Sequence, residues 1–268
     1  MNEGALPASN PPKKENEEER IMNQHASIVN MPGKAPLANV ALTLGALSGA
    51  MNRPGHLPGL VVLYGPSGLG KSTAATVATT QLRAYYVQAK SSWTRKALYL
   101  SILKCMGIHP AKTIYEMEEQ VTGQLVMSKR PLIVDEADHL VAKGSIEIVR
   151  DIYEGSSAAI LLIGEENLPS NLARFERIHN RVLEWVPAQY ADMDDARALR
   201  DLYCDKSEVA DDLLELIHAT SKGVVRRIVV NLERVQQAAL LAGKARMDLA
   251  AWGSQPLYTG DAPRRSLV

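Results

Sequence analysis

The chain has 268 residues, of which 46% are apolar, and its 30 basic side chains equal its 30 acidic ones. This length suits one α/β domain with a small appendage or two modest domains, and the apolar fraction is enough to bury a sizeable core. The polar start lacks a secretory signal, and the apolar stretch at residues 36–51 is too short and too weak to span a membrane. We therefore expect a cytoplasmic protein without a membrane partner.

Periodicity and breaker residues predict the elements in chain order. Charge and proline dominate residues 1–22, which we expect to be disordered. An alanine-rich helix is predicted to follow and to end near Asn52. Four short apolar strands are then predicted to alternate with helices, the strands at residues 60–64, 84–88, 131–134 and 158–163, and the helices at residues 71–83, 94–106, 114–127 and 145–153. Beyond Ala188 we expect no further strand, and helices at residues 192–204, 207–220 and 224–241.

This order of elements predicts the fold class. Short, wholly apolar strands that alternate with helices are typical of a parallel sheet covered on both faces. We expect an α/β core over residues 23–188, a small helical lid over residues 189–252 and a C-terminal tail over residues 253–268.

Charge is unevenly distributed along the chain. Residues 21–115 contain no Asp or Glu but nine Lys and Arg side chains. Such asymmetry favours a surface that binds nucleic acid or phosphate. The alternative is that a basic half of the fold docks on an acidic half.

The two cysteines, Cys105 and Cys204, have no metal-ligand spacing to another Cys or to His. Both lie within apolar helical patterns, so we expect buried, reduced thiols in a cytosolic protein.

The segment after the first predicted strand matches the phosphate-binding pattern G-x-x-x-x-G-K-[ST], with a strand before it and a helix after it. Glycines permit the backbone angles that point several N–H groups at one phosphate, and the helix N-terminus adds positive charge. Lys71 is expected to reach the β- and γ-phosphates of ATP, and Ser72 to supply an oxygen to Mg²⁺. The predicted cofactor-binding residues of this loop are Gly65, Pro66, Ser67, Gly68, Leu69, Gly70, Lys71, Ser72 and Thr73.

A second acidic motif, PLIVDEADH, ends the third predicted strand. Asp135 at the strand tip is expected to hold the hydration shell of Mg²⁺, and Glu136 to polarise the water that attacks the γ-phosphate. A helix N-cap is the alternative for such an acid pair. We assign the cap to Asp138 rather than a ligand role.

At this point the chain resembles the AAA+ ATPases, and within them the transposition proteins of the MuB, TniB and TnsC type, over roughly residues 30–250. The resemblance is carried by GPSGLGKST, VQAKSSWTRKALYLSILKCMG, PLIVDEADHL, AAILLIGEENL, FERIHNRV and SKGVVRRIVVNL. It implies a P-loop NTPase (AAA+) fold with an α-helical lid and assembly into rings or helical filaments around duplex DNA. It also implies a transposase as partner and action in the cytoplasm of a bacterial host cell.

The resemblance also implies three further roles. Arg181 stands where relatives carry the arginine that reaches a neighbour's nucleotide, and Arg177 is its rival. Arg226 corresponds to the lid sensor. Relatives tend to carry a polar sensor after the fourth strand, where this chain has Glu165, Glu166 and Asn167. Since a glutamate would repel phosphate, either Asn167 serves as the sensor or sensing is weak.

DNA is expected to contact the segment between the second strand and its helix. Lysines, arginines, hydroxyls and a helix N-terminus are the groups that commonly contact phosphates. The candidate residues are Lys90, Arg95, Lys96 and, in a later loop, Lys143. No recognition helix is evident, so we expect little sequence preference; a solvated basic loop is the alternative.

The leading functional hypothesis is an ATPase that oligomerises on target DNA and stimulates a transposase, with hydrolysis driving release. One alternative is a helicase loader or origin-recognition-like ATPase, which the few residues after the predicted lid helices disfavour. Another is a signalling or secretion-associated ATPase that acts on protein partners and has no DNA role.

Overall fold

The computed structural model describes Ala35 and residues 37–262 of the chain. In its first part, strands and helices alternate. These elements are α1 (Ala38–Met51), β1 (Leu60–Tyr64), α2 (Lys71–Gln81), β2 (Tyr85–Gln88), α3 (Arg95–Met106), α4 (Ile114–Ser128), β3 (Leu132–Asp135), α5 (Asp138–Ala142), α6 (Glu147–Ser156), β4 (Ile160–Gly164), α7 (Leu168–Leu172), α8 (Glu176–His179) and β5 (Val182–Pro187). The four predicted strands and the long helices between them are confirmed, with small shifts at their ends.

The five strands form one parallel sheet in the order β2-β3-β4-β1-β5. Strand β1 lies between β4 and β5, with Leu60 opposite Ile160 and Val62 opposite Trp185. Strand β5 was not predicted from the sequence. It is an edge strand whose residues are mostly half-buried or exposed, so it lacks the continuous apolar run that marks the four inner strands.

Helices cover both faces of the sheet, because successive strand residues point to opposite faces. Val61 and Leu63 belong to one apolar cluster, which also receives side chains from α1, α2 and the C-terminal helices. Leu60 and Val62 belong to the other, which is packed under α3, α4 and α6. Full burial of each such side chain contributes about 1.5–3 kcal/mol, so this double-sided core fixes the positions of the strand ends.

Local signals set the ends of the helices that flank the sheet. Helix α4 begins with a capping box, in which the Thr113 hydroxyl accepts a hydrogen bond from the Glu116 N–H (3.2 Å) and the Glu116 carboxylate accepts one from the Thr113 N–H (3.0 Å). Helix α3 is capped by Thr94 and ends at Gly107, which adopts the left-handed conformation.

The C-terminal part, which we call the lid, is mainly helical. It contains α9 (Met193–Tyr203), β6 (Glu208–Val209), α10 (Asp211–Ser221), α11 (Val225–Leu241), β7 (Arg246–Met247) and α12 (Leu249–Trp252). The three predicted helices are confirmed. The expectation of no strand beyond Ala188 is wrong, because β6 and β7 pair in parallel. Two-residue strands are too short to give a periodic signal.

The expectation that both cysteines are buried is also wrong for Cys105. It lies on the exposed side of α3, whereas Cys204 is half-buried at the end of α9. The predicted disordered segment at residues 1–22, the start of the predicted first helix and the end of the predicted tail lie outside the described residues. Within residues 37–262, no helix combines the length and the apolar character needed to cross a bilayer.

Candidate active site

The phosphate-binding loop joins β1 to α2 at the carboxyl edge of the sheet. Gly68 (φ +87°) and Gly70 (φ +86°) adopt backbone angles that favour glycine, and Gly70 immediately precedes the first turn of α2. A Cβ at Gly68 would lie 3.0 Å from the Val224 side chain of the lid. The loop therefore uses glycine at two positions with a positive φ and lies directly against the lid.

Lys71 is the first residue of α2, and its ammonium group turns back toward the loop. Its Nζ donates hydrogen bonds to the carbonyl oxygens of Gly65 (2.6 Å) and Pro66 (2.8 Å). Burial lowers the pKa of Lys71, and the nearby charges of Asp135 and Glu136 oppose that shift. An anionic ligand would compensate the burial more strongly than two carbonyl groups do, since it brings full negative charge.

The carboxylate of Asp135 lies at the end of β3 and is only 2% exposed as a residue. Its Oδ1 accepts a hydrogen bond from the Glu136 N–H (2.8 Å), and its Oδ2 accepts one from the Tyr86 hydroxyl (2.9 Å). Burial and the charge of Asp135 raise the pKa of Tyr86, so the hydroxyl remains a donor at neutral pH. Tyr86 was not identified from the sequence, because 49 residues separate it from Asp135 in the chain.

Glu136 follows Asp135 with a left-handed backbone, φ +55°. This conformation costs a residue with a side chain about 1–2 kcal/mol. Such strain is retained where the surroundings impose it, and it is frequent at functional sites. In this turn the two consecutive acidic residues have different environments: Asp135 is buried, and Glu136 is partly exposed.

A cavity of about 310 Å³, which we call the nucleotide cavity, brings the predicted residues together. Its volume is within the range of small-ligand sites, about 300–1,000 Å³. Residues from the phosphate loop, β3, β4 and the lid line it: Ser67, Gly68, Gly70, Lys71, Ser72, Thr73, Asp135, Glu136, Gly164, Glu165, Tyr203, Val225, Arg226, Val229 and Val230. Tyr203 and the three valines were not identified from the sequence, because a lid helix shows the same apolar pattern whether it faces the core or a ligand.

The donors in this cavity fit Mg²⁺. The ion prefers oxygen ligands and keeps several of its waters. The Ser72 hydroxyl and the Asp135 carboxylate line the same cavity and are oxygen donors of this kind.

Arg226 connects the lid to the phosphate loop. Its backbone N–H donates to the Gly68 carbonyl oxygen (3.0 Å), and the residue lines the nucleotide cavity. The position expected from the lid-sensor motif is therefore beside the ligand site.

The segment after β4 differs from the expectation for the sensor. Glu165 lines the nucleotide cavity, whereas Asn167 is not among the lining residues. The Glu165 N–H donates to Oδ2 of Asp138 (2.7 Å). The expected cap role of Asp138 is wrong, because it is the first residue of α5 and its carboxylate holds the end of β4.

Arg177 and Arg181 lie at the opposite edge of the sheet from the phosphate loop. The Arg181 carbonyl oxygen accepts a hydrogen bond from the N–H of Leu60, the first residue of β1. The Arg181 side chain pairs with Glu154 and donates to the Arg177 carbonyl oxygen (2.6 Å). The structure thus does not bring either arginine to the nucleotide cavity of the same chain.

The basic residues assigned to DNA contact meet on one exposed surface. Lys143, in the loop between α5 and α6, donates from Nζ to the Trp93 carbonyl oxygen (3.2 Å). Trp93 in turn closes a turn with Lys90, and α3 starts with Arg95 and Lys96. The four residues Lys90, Arg95, Lys96 and Lys143, all exposed, are called the basic surface below.

The comparisons with known proteins agree with this architecture. A model of the AAA domain family matches residues 55–172. The fold is similar to the Aeropyrum pernix Orc1 protein, solved in complex with DNA, with 18% identity, 80% of this chain and 62% of that chain covered, and a TM-score of 0.55. Cdc6p from Pyrobaculum aerophilum gives 17% identity, 89% and 66% coverage and a TM-score of 0.53. Domain III of the Thermotoga maritima replication initiation protein DnaA gives 17% identity, 85% and 92% coverage and a TM-score of 0.53.

The chain spans less than two thirds of the length of the Orc1 and Cdc6p structures. None of the curated proteins matches it. The parallel sheet and the phosphate loop give this chain the AAA+ P-loop fold of these structures, and residues 55–172 match the AAA domain family.

Proposed function

We propose that the protein is an ATP-controlled DNA-binding ATPase whose copies assemble side by side on duplex DNA. One observation carries this proposal. Within one chain, the residues of the phosphate site lie far from the arginines that would stabilise the transition state. Lys71, Ser72, Asp135 and Glu136 lie at one edge of the sheet, whereas Arg181 lies at the other.

In this proposal the chain's own residues bind and orient the triphosphate. The loop N–H groups and Lys71 hold the phosphates, and Ser72 and Asp135 would hold Mg²⁺, which would supply positive charge to the transferred phosphate. Glu136 orients the attacking water. An arginine of the next copy, Arg181 or Arg177, stabilises the transition state, so turnover requires contact between copies.

DNA contact is assigned to the basic surface. Its four cations come from the segment that joins β2 to the start of α3 and from the α5–α6 loop, which the Lys143–Trp93 hydrogen bond connects, and the surface follows β2 at the same edge of the sheet as the nucleotide cavity. Phosphates are bound by side chains of this kind without reading the bases. Binding with little sequence preference and a steep dependence on salt follows.

For the biological process, the comparisons favour the replication alternative over transposition. The similar solved structures include Orc1, Cdc6p and a replication initiation protein, and the Orc1 structure contains DNA. We therefore place a helicase-loader or origin-recognition-like role first. The transposition role, with a transposase as partner, remains a second candidate because of the motifs SSWTRKALYL and FERIHNRV.

Duplex binding under three nucleotide conditions tests the proposal. Fluorescence anisotropy with random-sequence duplex should give tighter binding with a slowly hydrolysed ATP analogue than with ADP or no nucleotide, and electron microscopy should show rings or filaments. The Lys71→Ala variant should lose the nucleotide effect. Equal affinity under all three conditions would contradict ATP control, and ATPase activity without DNA retention would favour the alternative with protein partners.

The two processes are separated by their partners. A helicase loader should form a nucleotide-dependent complex with a replicative helicase and deliver it to single-stranded DNA. A transposition protein should instead raise strand transfer by its transposase into DNA that it already covers. A positive result in one assay and none in the other assigns the process.

A further inference from the structure

A second cavity adjoins the nucleotide cavity and shares Ser67, Gly68 and Arg226 with it. Its volume is about 550 Å³. The phosphate loop forms one wall, and the others are formed by lid residues together with Tyr190 before the lid and Tyr258 and Gly260 after it. We call it the lid cavity.

The lid cavity is strongly basic. Lys222, Arg226 and Arg227 line it, and none of the described residues that line it is acidic. The N-terminus of α11, a helix of 17 residues, begins at Val225 in the same place and adds the positive end of its dipole. A concave surface of one charge sign focuses the field and attracts ions of the opposite sign.

The walls of the lid cavity are held by specific contacts. The buried Asn231 fixes Tyr258, because its Nδ2 donates to the Tyr258 carbonyl oxygen (3.0 Å) and its Oδ1 accepts from the Tyr258 N–H (2.7 Å). On the other side Tyr190 packs on Gly223, where a Cβ would lie 2.9 Å from the Tyr190 Cβ. The two tyrosines therefore stand at defined positions beside the three cations.

We propose that the lid cavity binds the phosphodiester backbone of DNA as a second contact, apart from the basic surface. Arginine and lysine side chains supply charged donors to phosphate oxygens, and tyrosine hydroxyls supply neutral ones. The inference rests on the proposed DNA-binding function and extends it, since it assigns DNA contact to the lid.

Arg226 couples this contact to the nucleotide. Arg226 lines both cavities, and its backbone is hydrogen-bonded to Gly68 of the phosphate loop. A triphosphate that fixes Arg226 and the loop also fixes one wall of the lid cavity. Nucleotide should therefore strengthen DNA binding and DNA should strengthen nucleotide binding by the same factor, because such linkage is reciprocal.

Substitutions that remove charge from the lid cavity outside the nucleotide cavity test the inference. Suitable variants are Arg227→Gln and Lys222→Asn, since Asn tolerates the left-handed backbone of Lys222 (φ +52°). The control is Lys244→Gln, which removes an exposed lid charge away from both cavities. A fluorescent ADP titration and a thermal melt of each variant detect folding defects, and Arg227→Lys keeps the charge where Arg227→Gln fails to fold.

Binding is measured by anisotropy with a duplex probe and a slowly hydrolysed ATP analogue at several salt concentrations. Each lid-cavity variant should bind about 3–10-fold more weakly, and the slope of log K against log[salt] should become shallower by about one for each DNA phosphate that the protein no longer neutralises. Lys244→Gln should keep both the affinity and the slope.

Three outcomes are distinguishable. If the wild-type protein does not bind DNA, the proposed function itself fails. If the wild type binds and the double variant Lys222→Asn/Arg227→Gln retains its affinity and salt slope, the lid cavity is not a DNA site and only this inference fails. Loss of self-association at unchanged DNA affinity would also overturn it, because the cavity would then bind an acidic segment of the neighbouring copy.

Discussion

Replacing Tyr86 by phenylalanine removes one hydroxyl that holds the buried carboxylate of Asp135. The hydrogen bond measures 2.9 Å, and Asp135 is 2% exposed, so water cannot readily replace the missing donor. A hydrogen bond to a charged group contributes about 1.5–3 kcal/mol to stability. We expect the free energy of unfolding of Tyr86→Phe, from urea titration, to fall by about this amount.

The same substitution should weaken metal binding. Without the Tyr86 hydroxyl, the Glu136 N–H is the one hydrogen-bond donor to the Asp135 carboxylate that remains among the described residues, so the carboxylate turns more freely. We expect this lost preorganisation to cost about 1 kcal/mol of metal binding. In the presence of ADP, the affinity for Mg²⁺ or Mn²⁺ should therefore fall by about fivefold. The affinity for fluorescent ADP in EDTA should not change, because the phosphate loop is intact.

Tyr85→Phe is the matched control. Tyr85 is the preceding residue of β2, and its hydroxyl accepts a hydrogen bond from Gln124 (2.8 Å) on the other face of the sheet. This variant should leave the metal affinity unchanged. An equal loss of metal affinity in both variants, or none in Tyr86→Phe, would refute the assigned role of Tyr86.

Three further outcomes follow from the structure. A maleimide reagent at neutral pH should label Cys105 rapidly and Cys204 slowly, because burial raises the pKa of Cys204 to about 11; equal rates would contradict the placement of the two thiols. Gly68→Ala should destabilise the protein by about 1–2 kcal/mol and weaken ADP binding, because the φ of Gly68 is +87° and the new Cβ would meet Val224. Unchanged stability in calorimetry and unchanged affinity in nucleotide titration would contradict this expectation. Burial and Glu118 raise the pKa of Tyr99, so the unfolded state loses the hydroxyl proton first and the free energy of unfolding should fall as pH rises above about 10. In urea titrations at several pH values, Tyr99→Phe should flatten that fall. An unchanged dependence of stability on pH would exclude the effect.

The sequence was most informative where chemistry requires a fixed spacing. The phosphate loop and the Asp135–Glu136 pair were predicted residue by residue, because a strand, glycines, a lysine and a hydroxyl must follow one another to bind phosphate. The nucleotide cavity contains most of these residues. The position of Arg226 was predicted from a weaker motif, and the structure places it at the cavity.

The sequence was less informative where position depends on tertiary packing. Tyr86 contacts Asp135 across two strands, and 49 residues separate them in the chain, so no local pattern indicates the pair. Strand β5 was missed because an edge strand needs no continuous apolar run. Cys105 was expected inside because α3 has apolar neighbours at helical spacing, but its own position faces outward.

Mixing two inactive variants tests most directly the central claim, that the ATP site is shared between copies. Lys71→Ala disables the phosphate site but keeps both arginines, whereas Arg177→Ala/Arg181→Ala keeps the phosphate site and should lower turnover by about 10³-fold or more if the arginine acts as in well-studied GTPases. Arg174→Ala, which changes an exposed arginine of the same segment, is the control and should remain active. On duplex DNA, the mixture should hydrolyse ATP well above the sum of its two components, because the first variant supplies arginines to the intact sites of the second. Full activity of the double arginine variant alone, or no recovery in a mixture that does assemble, would contradict the claim.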